Sequence, residues 1–225
     1  MDYNITYPRV IKEQNYIENI TRYFSENDRL KNYNVKDDTL YNLKIDEIEF
    51  NSCILQKLSI KNCTLQKAYF LDTVFENCDM VGIDFSKSYI KRCMFINCNL
   101  ASTNFYSSIF EDVCFKSCNF KNAIFDDSSL KKVKIDECNF KYASCINLKL
   151  LNTYMLNSDF SLCNFSNTSL KNIDFTTSVL DGITLYPNDL KGVILTQNQA
   201  LEFIKLLGII IKWIQLKIYI KQNLI

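Results

Sequence analysis

Apolar residues recur at every fifth position over most of this chain. Each residue whose number is divisible by five is apolar from Leu40 to Leu195, which makes thirty-two consecutive matches. The position two residues earlier is mostly small, as at Cys98, Ser108 and Cys118. An amphipathic helix requires apolar spacings of three and four, and a half-buried strand requires strict alternation. The five-residue pattern therefore predicts neither a helix nor an ordinary strand. It predicts short extended segments, here called sides, joined by corners, in which the large and small residues point inward.

Four such sides close a coil of twenty residues. Residues twenty apart are then expected to lie above one another at about 4.8 Å, the spacing of neighbouring strands. Thirty-two pentads predict about eight coils, and stacked repeats of this kind form solenoids. Chemically similar residues do recur at this spacing. The predicted columns are Cys78, Cys98, Cys118 and Cys138; Ser88, Ser108 and Ser128; Phe85, Phe105 and Phe125; Phe75, Phe95 and Phe115; and Phe120, Phe140 and Phe160.

The pentads themselves carry a family resemblance. The triplets that begin at Cys98 and Cys118 each place a small residue, an asparagine and a large apolar residue in sequence. This pattern covers residues 40–195 and resembles that of pentapeptide-repeat proteins. The resemblance implies an all-β fold, a right-handed quadrilateral parallel β-helix. We expect the asparagine to cap backbone groups at the corners, as short polar side chains do in turns.

The composition limits the chemistry that the chain could perform. Eight of the ten cysteines occupy the small position, where alanine, serine and threonine also occur, so buried free thiols are expected. There is no histidine and no paired CxxC set with zinc spacing, so neither a metal nor a cofactor is expected. Without histidine the commonest general base is missing, and we predict that the chain is not an enzyme. No signal peptide is visible, which predicts a cytoplasmic location.

The pattern divides the chain into three segments. Residues 1–38 fit it poorly and are predicted to form an N-terminal cap segment, with residues 10–24 as a helix or irregular cap over the first coil. Residues 39–197 are the predicted β-helix. Residues 198–225 are the predicted C-terminal helix and tail, with a role in capping and dimerisation.

The C-terminal segment is predicted to begin with a helix over residues 199–207, ended by Gly208. Its apolar face is expected to cover the last coil and continue into a contact with a second copy; a cap without dimerisation is the alternative. The tail after Ile211 is too short and charged to span a bilayer. It could enlarge the dimer contact, pair as a strand or lie on a membrane surface, and we favour the first. The predicted dimer interface comprises Ala200, Phe203, Ile204, Leu207, Ile209, Ile211 and Trp213.

The two ends narrow the resemblance to one branch of the family. Residues 185–193 read LYPNDLKGV, residues 207–211 read LGIII, and residues 5–8 read ITYP. These runs are similar to those of Qnr-type proteins, especially the chromosomal members from Gram-positive bacteria. The resemblance implies a protein that binds DNA gyrase and topoisomerase IV and protects them from quinolones. It also implies a homodimer, joined through the C-terminal segment, that resembles B-form DNA.

The charge distribution departs from that expectation. Residues 40–195 hold sixteen basic and seventeen acidic residues, whereas a DNA mimic should present a strongly negative surface. The most acidic side, here called the acidic side, consists of the outward positions that flank residues 45, 65, 85 and their successors. The side that carries Lys91, Arg92, Lys131 and Lys132, here called the basic side, is net positive by two. This is too weak a footprint to predict direct nucleic-acid binding. The predicted gyrase-contacting residues are Asp46, Glu47, Asp84, Asp126 and Asp127.

The sequence leaves three functions open. The favoured one is a partner of a type II topoisomerase, for which the unbroken register predicts inhibition or weak protection. The register leaves no room for the loops that project from several plasmid-borne Qnr proteins. The second is a structural or protein-interaction rod with no topoisomerase contact. The third is an immunity protein against a gyrase-directed toxin.

Overall fold

The computed structural model describes residues 3–11, 14–17 and 19–204. They form a parallel β-solenoid of about seven turns with a short helix at the C-terminal end, which confirms the predicted fold class. The elements are β1 (Asn15–Tyr16), α1 (Ile20–Phe24), β2 (Arg29–Lys31), β3 (Tyr33–Lys36), β4 (Thr39–Tyr41), β5 (Glu49–Asn51), β6 (Ile54–Gln56), β7 (Ser59–Lys61), β8 (Tyr69–Leu71), β9 (Val74–Glu76), β10 (Tyr89–Ile96), β11 (Ile109–Lys116), β12 (Ser129–Asp136), β13 (Lys149–Leu151), β14 (Tyr154–Leu156), a 3₁₀ turn (Pro187–Leu190) and α2 (Gln197–Ile204).

Successive coils are in register at a spacing of twenty residues. Phe110, for example, pairs with Ile90 below it and with Leu130 above it. The three longest strands, β10, β11 and β12, each continue round a corner and contribute two sides of a coil. Single bridges repeat the same spacing on the other two sides, as between Asn99 and Asn119. Residues twenty apart therefore lie above one another, as the sequence predicts.

The large apolar positions form a continuous core along the rod. Nearly all of them are buried, and their phenylalanine rings contact one another from coil to coil. Such contacts contribute about 0.5–1.5 kcal/mol beyond the burial of area. The predicted columns are confirmed, with ring centroids 4.5–5.7 Å apart in Phe75–Phe95–Phe115, Phe85–Phe105–Phe125 and Phe120–Phe140–Phe160.

The corners are made by residues in the left-handed backbone conformation. Two residues after almost every large apolar position φ is positive, as at Asn32 (+61°) and Asn172 (+65°). The same conformation occurs at Lys57 and Leu162, although for such residues it costs about 1–2 kcal/mol. Hydrogen bonds to the next coil hold it in place, since the N–H of Asn122 donates to the Lys141 carbonyl at 3.0 Å. Stacking of the coils therefore enforces the corner conformation even where the residue type does not favour it.

The small positions bridge successive coils through hydrogen bonds. The buried Ser108 hydroxyl accepts a hydrogen bond from the backbone N–H of Ser88 at 3.1 Å and donates one to the Phe85 carbonyl at 3.1 Å. In another column the Cys138 Sγ accepts from the Cys118 N–H at 3.4 Å. Buried backbone N–H groups require partners. Where the small position holds serine, threonine or cysteine, its side chain therefore supplies a hydrogen-bond partner as well as fitting the space.

All ten cysteines are buried free thiols, which confirms the prediction from composition. Burial raises the pKa of Cys53 to about 11 and that of Cys93 to about 12. The neutral thiol is therefore the stable form of Cys53 and Cys93 at neutral pH, and it behaves as a small apolar residue with a weak S–H donor.

The asparagines that precede large residues cap the corners as predicted. The Oδ1 atom of Asn119 accepts a hydrogen bond from the Lys121 N–H at 3.2 Å, and Asn139 accepts one from Lys141 at 3.0 Å. These amides also form a ladder along the rod. The Asn139 side chain donates to Asn119 at 3.2 Å, and the Asn119 side chain donates to Asn99 at 3.0 Å.

The first coil begins earlier than the sequence suggests. Regular pairing starts at β2, where Leu30 lies opposite Phe50, whereas the predicted boundary is residue 39. Helix α1 covers this coil, with Phe24 buried against Phe50 at a ring-centroid distance of 5.3 Å. The coil escapes the sequence pattern because its small positions hold larger or charged residues. These residues are Asp28, Tyr33 and Asp38.

The segment before α1 lies along the outside of the rod. Residues 3–11 and 14–17, here called the strap, contain no helix, so the predicted cap over residues 10–24 is helical only from residue 20. The Thr6 N–H donates to Asp112 Oδ1 and the Arg9 N–H donates to Asp72 Oδ1, both at 3.0 Å. Later residues of the strap thus contact earlier coils. The strap departs from the predicted cap because its partners lie on the side of the coils and not on their end.

We predict that Asn122→Val lowers the free energy of unfolding by about 1–2 kcal/mol, because a β-branched residue is poorly tolerated at a φ of +60°. Asn122→Gly should be close to neutral, since glycine adopts this conformation freely. Urea denaturation midpoints measure the difference. Lys121→Val, at the adjacent exposed position, is the control. An equal loss in both valine variants would contradict the proposed cost of the corner conformation.

Candidate functional site

The acidic side is a continuous face of the rod. Single bridges join Thr64 to Asp84, Asp84 to Asn104, and Asn104 to Ile124, so the flanking positions form one column. The structure therefore brings the predicted acidic residues to the same side but spreads them over several coils. Along the rod from the N-terminal end they are Asp46 and Glu47, then Asp84, then Asp126 and Asp127.

Asp84 holds neighbouring coils together. Its carboxylate accepts hydrogen bonds from the Ser86 N–H at 2.9 Å, from the Asn104 side chain at 3.1 Å and from the Gln66 side chain at 2.5 Å. Burial alone would raise the pKa of Asp84, but these hydrogen bonds to the charged form outweigh it and lower the pKa. Asp84 is therefore a structural carboxylate whose oxygens are already occupied.

Asp126 joins a pair of coils further along the rod in a similar way. One oxygen of its carboxylate accepts hydrogen bonds from the Ser144 hydroxyl at 2.6 Å and from the Ile146 N–H at 2.9 Å. Both donors belong to the next coil. Asp126 therefore stabilises the stacking, which sequence reasoning missed because only the spacing of eighteen to twenty residues reveals these partners.

The other three acidic residues are exposed to solvent. Asp46 and Glu47 lie at one corner, and Asp127 lies at the equivalent corner four coils away. Glu47 forms an ion pair with Lys67 at 3.2 Å, in which both side chains are more than half exposed, and such pairs contribute about 0–1 kcal/mol. Their carboxylates remain accessible to a partner.

The basic side is largely neutralised by its own carboxylates. Glu111 accepts hydrogen bonds from Lys131 Nζ at 2.9 Å, from Lys91 Nζ at 3.0 Å and from the Tyr89 hydroxyl at 3.0 Å. The hydrogen bond from Lys131 lowers the pKa of Glu111 most, followed by those from Lys91 and Tyr89. Together they lower this pKa to about 2. Two of the four clustered basic residues on this side are therefore paired with Glu111.

A third basic residue on this side, Arg92, forms a tighter ion pair. Arg92 donates two hydrogen bonds to Asp72, both of 2.7 Å, and both side chains are largely buried. The Arg9 N–H of the strap completes the carboxylate's coordination. This bidentate pair supports the strap and leaves little free positive charge for a nucleic acid to bind.

Helix α2 covers the last coils at the C-terminal end. Phe203 is buried, and the Gln199 side chain donates to the carbonyls of Phe175 at 2.9 Å and Ser178 at 2.8 Å. A cavity of about 340 Å³ lies between the helix and Gly182. Of the predicted dimer interface, Ala200 and Ile204 are half-buried on the described residues of the helix. The remaining members and the predicted helix end lie outside the described residues; they are Leu207, Gly208, Ile209, Ile211 and Trp213.

Metal-binding clusters and membrane-spanning helices are both absent from the described residues. No group of three or more cysteine, aspartate or glutamate side chains among them is placed to hold a metal ion. No described helix is long and apolar enough to cross a membrane.

Two family models match the repeats. A model described as a pentapeptide repeat region matches residues 68–145, and one described as pentapeptide repeats (8 copies) matches residues 138–182. Together they span about half of the chain. The chain belongs to the pentapeptide-repeat proteins. No curated protein matches the sequence.

Solved pentapeptide-repeat structures resemble the fold. QnrB1, a plasmid-mediated fluoroquinolone resistance protein, is 19% identical with a TM-score of 0.45, over 80% of this chain and 95% of QnrB1. HetL, involved in heterocyst differentiation regulation in a Nostoc cyanobacterium, is 14% identical with a TM-score of 0.35, over 82% of this chain and 98% of HetL. A pentapeptide-repeat protein of the Arabidopsis thaliana thylakoid lumen is 19% identical with a TM-score of 0.33, over 57% and 75%. At these identities the likeness concerns the fold alone.

We predict that Glu111→Gln flattens the acid dependence of stability. The pKa of Glu111 in the folded protein, about 2, lies below its ordinary value of 4.5. Its contribution is therefore complete above about pH 5 and is lost as the pH falls toward 2. The urea midpoint of the wild type should fall more steeply between these pH values than that of the variant. Glu137→Gln, at an exposed corner, is the control, and parallel curves for wild type and Glu111→Gln would contradict the prediction.

Proposed function

We propose that this protein binds a bacterial type II topoisomerase, DNA gyrase or topoisomerase IV, and inhibits it or protects it from quinolones. The observation that carries the proposal is the Qnr-like run LYPNDLKGV at residues 185–193. This run includes the 3₁₀ turn of the last coil and lies just before α2. It therefore occupies the end of the rod through which we expect two copies to join. A cytoplasmic location and a non-enzymatic role follow from the same proposal.

The exposed carboxylates of the acidic side supply the proposed contact. Glu47 and Asp127 lie four coils apart, a separation of about 19 Å at the usual strand spacing. Asp46 lies beside Glu47, and all three are exposed. Asp84 and Asp126 contribute negative charge to the same face, but their main role is to join the coils. Binding through so few accessible charges should be modest and sensitive to salt.

We expect the protein to alter gyrase supercoiling in a dose-dependent manner, either by inhibition or by restoring activity in the presence of a fluoroquinolone. The double variant Glu47→Lys/Asp127→Lys should need about tenfold more protein for the same effect, because it reverses charge where the partner's basic surface would meet it. The measurement is a supercoiling titration with purified gyrase, with and without the drug.

The matched control is Asp37→Lys/Glu137→Lys. These residues are also exposed, also occupy left-handed corners, and carry the same charge, but they lie on another side of the rod. The control should behave as the wild type. Equal losses in both double variants would contradict a contact on the acidic side. No effect of the wild type at a large molar excess would contradict the topoisomerase partner itself.

A second candidate is an interaction rod that binds another protein and makes no topoisomerase contact. The observation that favours it is the near-neutral repeat region, with sixteen basic and seventeen acidic residues between positions 40 and 195. Immunity against a gyrase-directed toxin would use the same surface as the first proposal and would differ only in the poison that is relieved. Replacing the quinolone by such a toxin in the supercoiling titration distinguishes these uses.

We further propose that two copies join through the C-terminal segment. Phe203 is buried against its own coils and acts as a cap, so the contact falls to Ala200, Ile204 and the predicted residues beyond them. Apolar residues at the end of a helix that caps the rod would extend its core across a two-fold axis.

Sedimentation velocity tests the dimer. The full chain should sediment as a dimer and a chain ending at Ile204 as a monomer. This truncation keeps the bonds from Gln199 to Phe175 and Ser178 and therefore the cap. Matching circular dichroism spectra would establish that the shortened chain is folded. A monomer in both chains would contradict the proposed dimer, and a dimer in both would contradict the proposed role of the residues beyond Ile204.

A further inference from the structure

The stack of coils is open on two of its four sides near the C-terminal end. Strands β13 and β14 pair with β12 below them, and within the described residues neither pairs with a strand above. The corresponding stretch of the next coil, residues 169–176, contains no strand. The same two coils remain joined elsewhere, as by the bridge between Asp159 and Val179. A cleft therefore separates residues 149–156 from residues 169–176, here called the open cleft.

Both lips of the open cleft present unpaired backbone groups. Elsewhere a large residue donates its N–H to the carbonyl nineteen residues later, as from Phe120 to Asn139 at 2.7 Å. Within the described residues, no backbone hydrogen bond runs from the N–H of Leu150 or Asn152 to the coil above, and none runs from the N–H of Ser169 to the coil below. The facing backbone groups of the two lips are thus arranged as in neighbouring strands but are not hydrogen-bonded to each other.

Two threonines close the ends of the cleft. The Thr168 hydroxyl accepts a hydrogen bond from the Leu148 N–H at 2.9 Å, and the Thr177 hydroxyl accepts one from the Asn157 N–H at 3.0 Å. Side-chain hydroxyls thus connect the two coils where the backbone bonds stop. The opening is bounded by these contacts, and it has the length of the two sides that β13 and β14 line.

The interior of the cleft is roomy and positively charged. Adjoining cavities of about 510 and 280 Å³ lie between the coils and share Leu150, Lys171 and Asn172. Lys149 also lines the larger cavity, and no carboxylate lines either one. Neither lysine forms an ion pair with a described residue.

We propose that the open cleft is a docking site for an extended, acidic peptide segment of a partner protein. The segment adds as a strand between the two coils and pairs with both lips, since an exposed strand edge binds an extended chain through backbone hydrogen bonds. Lys149 and Lys171 pair with its carboxylates. The cleft lies on the basic side and on the side that follows it along the chain. None of the predicted gyrase-contacting residues lines either cavity, so this proposal can be tested independently of the topoisomerase contact.

The probe is a fluorescein-labelled, capped heptapeptide in which valine and glutamate alternate, titrated with the full-length protein and followed by fluorescence anisotropy. We expect saturable binding. Methylation of alternate backbone nitrogens of the peptide should weaken binding at least about tenfold, because it removes N–H donors and leaves every side chain in place. Equal affinity of the methylated peptide, or no saturable binding of the unmodified one, would overturn the proposal.

Charge reversal tests the preference for acidic segments. Lys149→Glu/Lys171→Glu should weaken binding about tenfold. Lys44→Glu/Lys61→Glu is the matched control, because these exposed lysines hold the same two positions of the repeat on other sides of the rod. The control should bind as the wild type does. Unchanged affinity in the Lys149/Lys171 variant would overturn the assignment of an acidic partner.

Amide hydrogen exchange gives a readout that does not depend on affinity. In the free protein the N–H groups of Leu150, Asn152 and Ser169 should exchange rapidly, and the peptide should slow them. The N–H of Phe120, which donates to Asn139, is the internal reference for a paired coil. Slow exchange of the three amides in the free protein would mean that the coils are closed in solution and would overturn the proposal.

Discussion

The structure depends on one constraint: every coil must repeat after twenty residues so that its backbone can pair with the coils on either side. Residues such as Phe110, paired with Ile90 and Leu130, show this register directly. The register requires a corner every five residues, and the corners require positive φ at residues that seldom adopt it alone, such as Leu162. Hydrogen bonds between coils supply the compensating energy. Stacking and corner conformation therefore stabilise each other, and neither is stable without the next coil.

The same constraint determines which surface groups are available for binding. A polar side chain on the outside has neighbours twenty residues away on both sides, so many outward charges pair along the rod. Glu111 between Lys91 and Lys131 is one example, and Asp84 beneath Asn104 is another. Many of the charged side chains counted in the sequence are thus already bonded to neighbouring coils. A partner meets the remaining exposed groups and the places where stacking is interrupted.

The repeat itself could be predicted from the sequence because it is local. The large and small positions, the buried thiols and the corner-capping asparagines follow from a pattern visible within a few residues. The phenylalanine columns follow from the recurrence of that pattern every twenty residues, and the structure confirms all of these features. The start of the first coil was missed because Asp28, Tyr33 and Asp38 occupy its small positions. The strap and the structural roles of Asp84 and Asp126 were missed because their partners are distant in sequence. The open cleft has no counterpart in the pattern at all, since Leu150 and Leu170 keep the repeat on both sides of it.

The central claim is that stacking enforces a left-handed corner at nearly every fifth residue, whatever the residue type. Multidimensional NMR of the full chain tests it directly, through the coupling between each amide proton and its α-proton together with the intraresidue distance between them. The account predicts positive φ at Lys57, Arg92, Tyr142 and Leu162 as clearly as at the asparagine corners. Positive φ confined to glycine, asparagine and aspartate would contradict it.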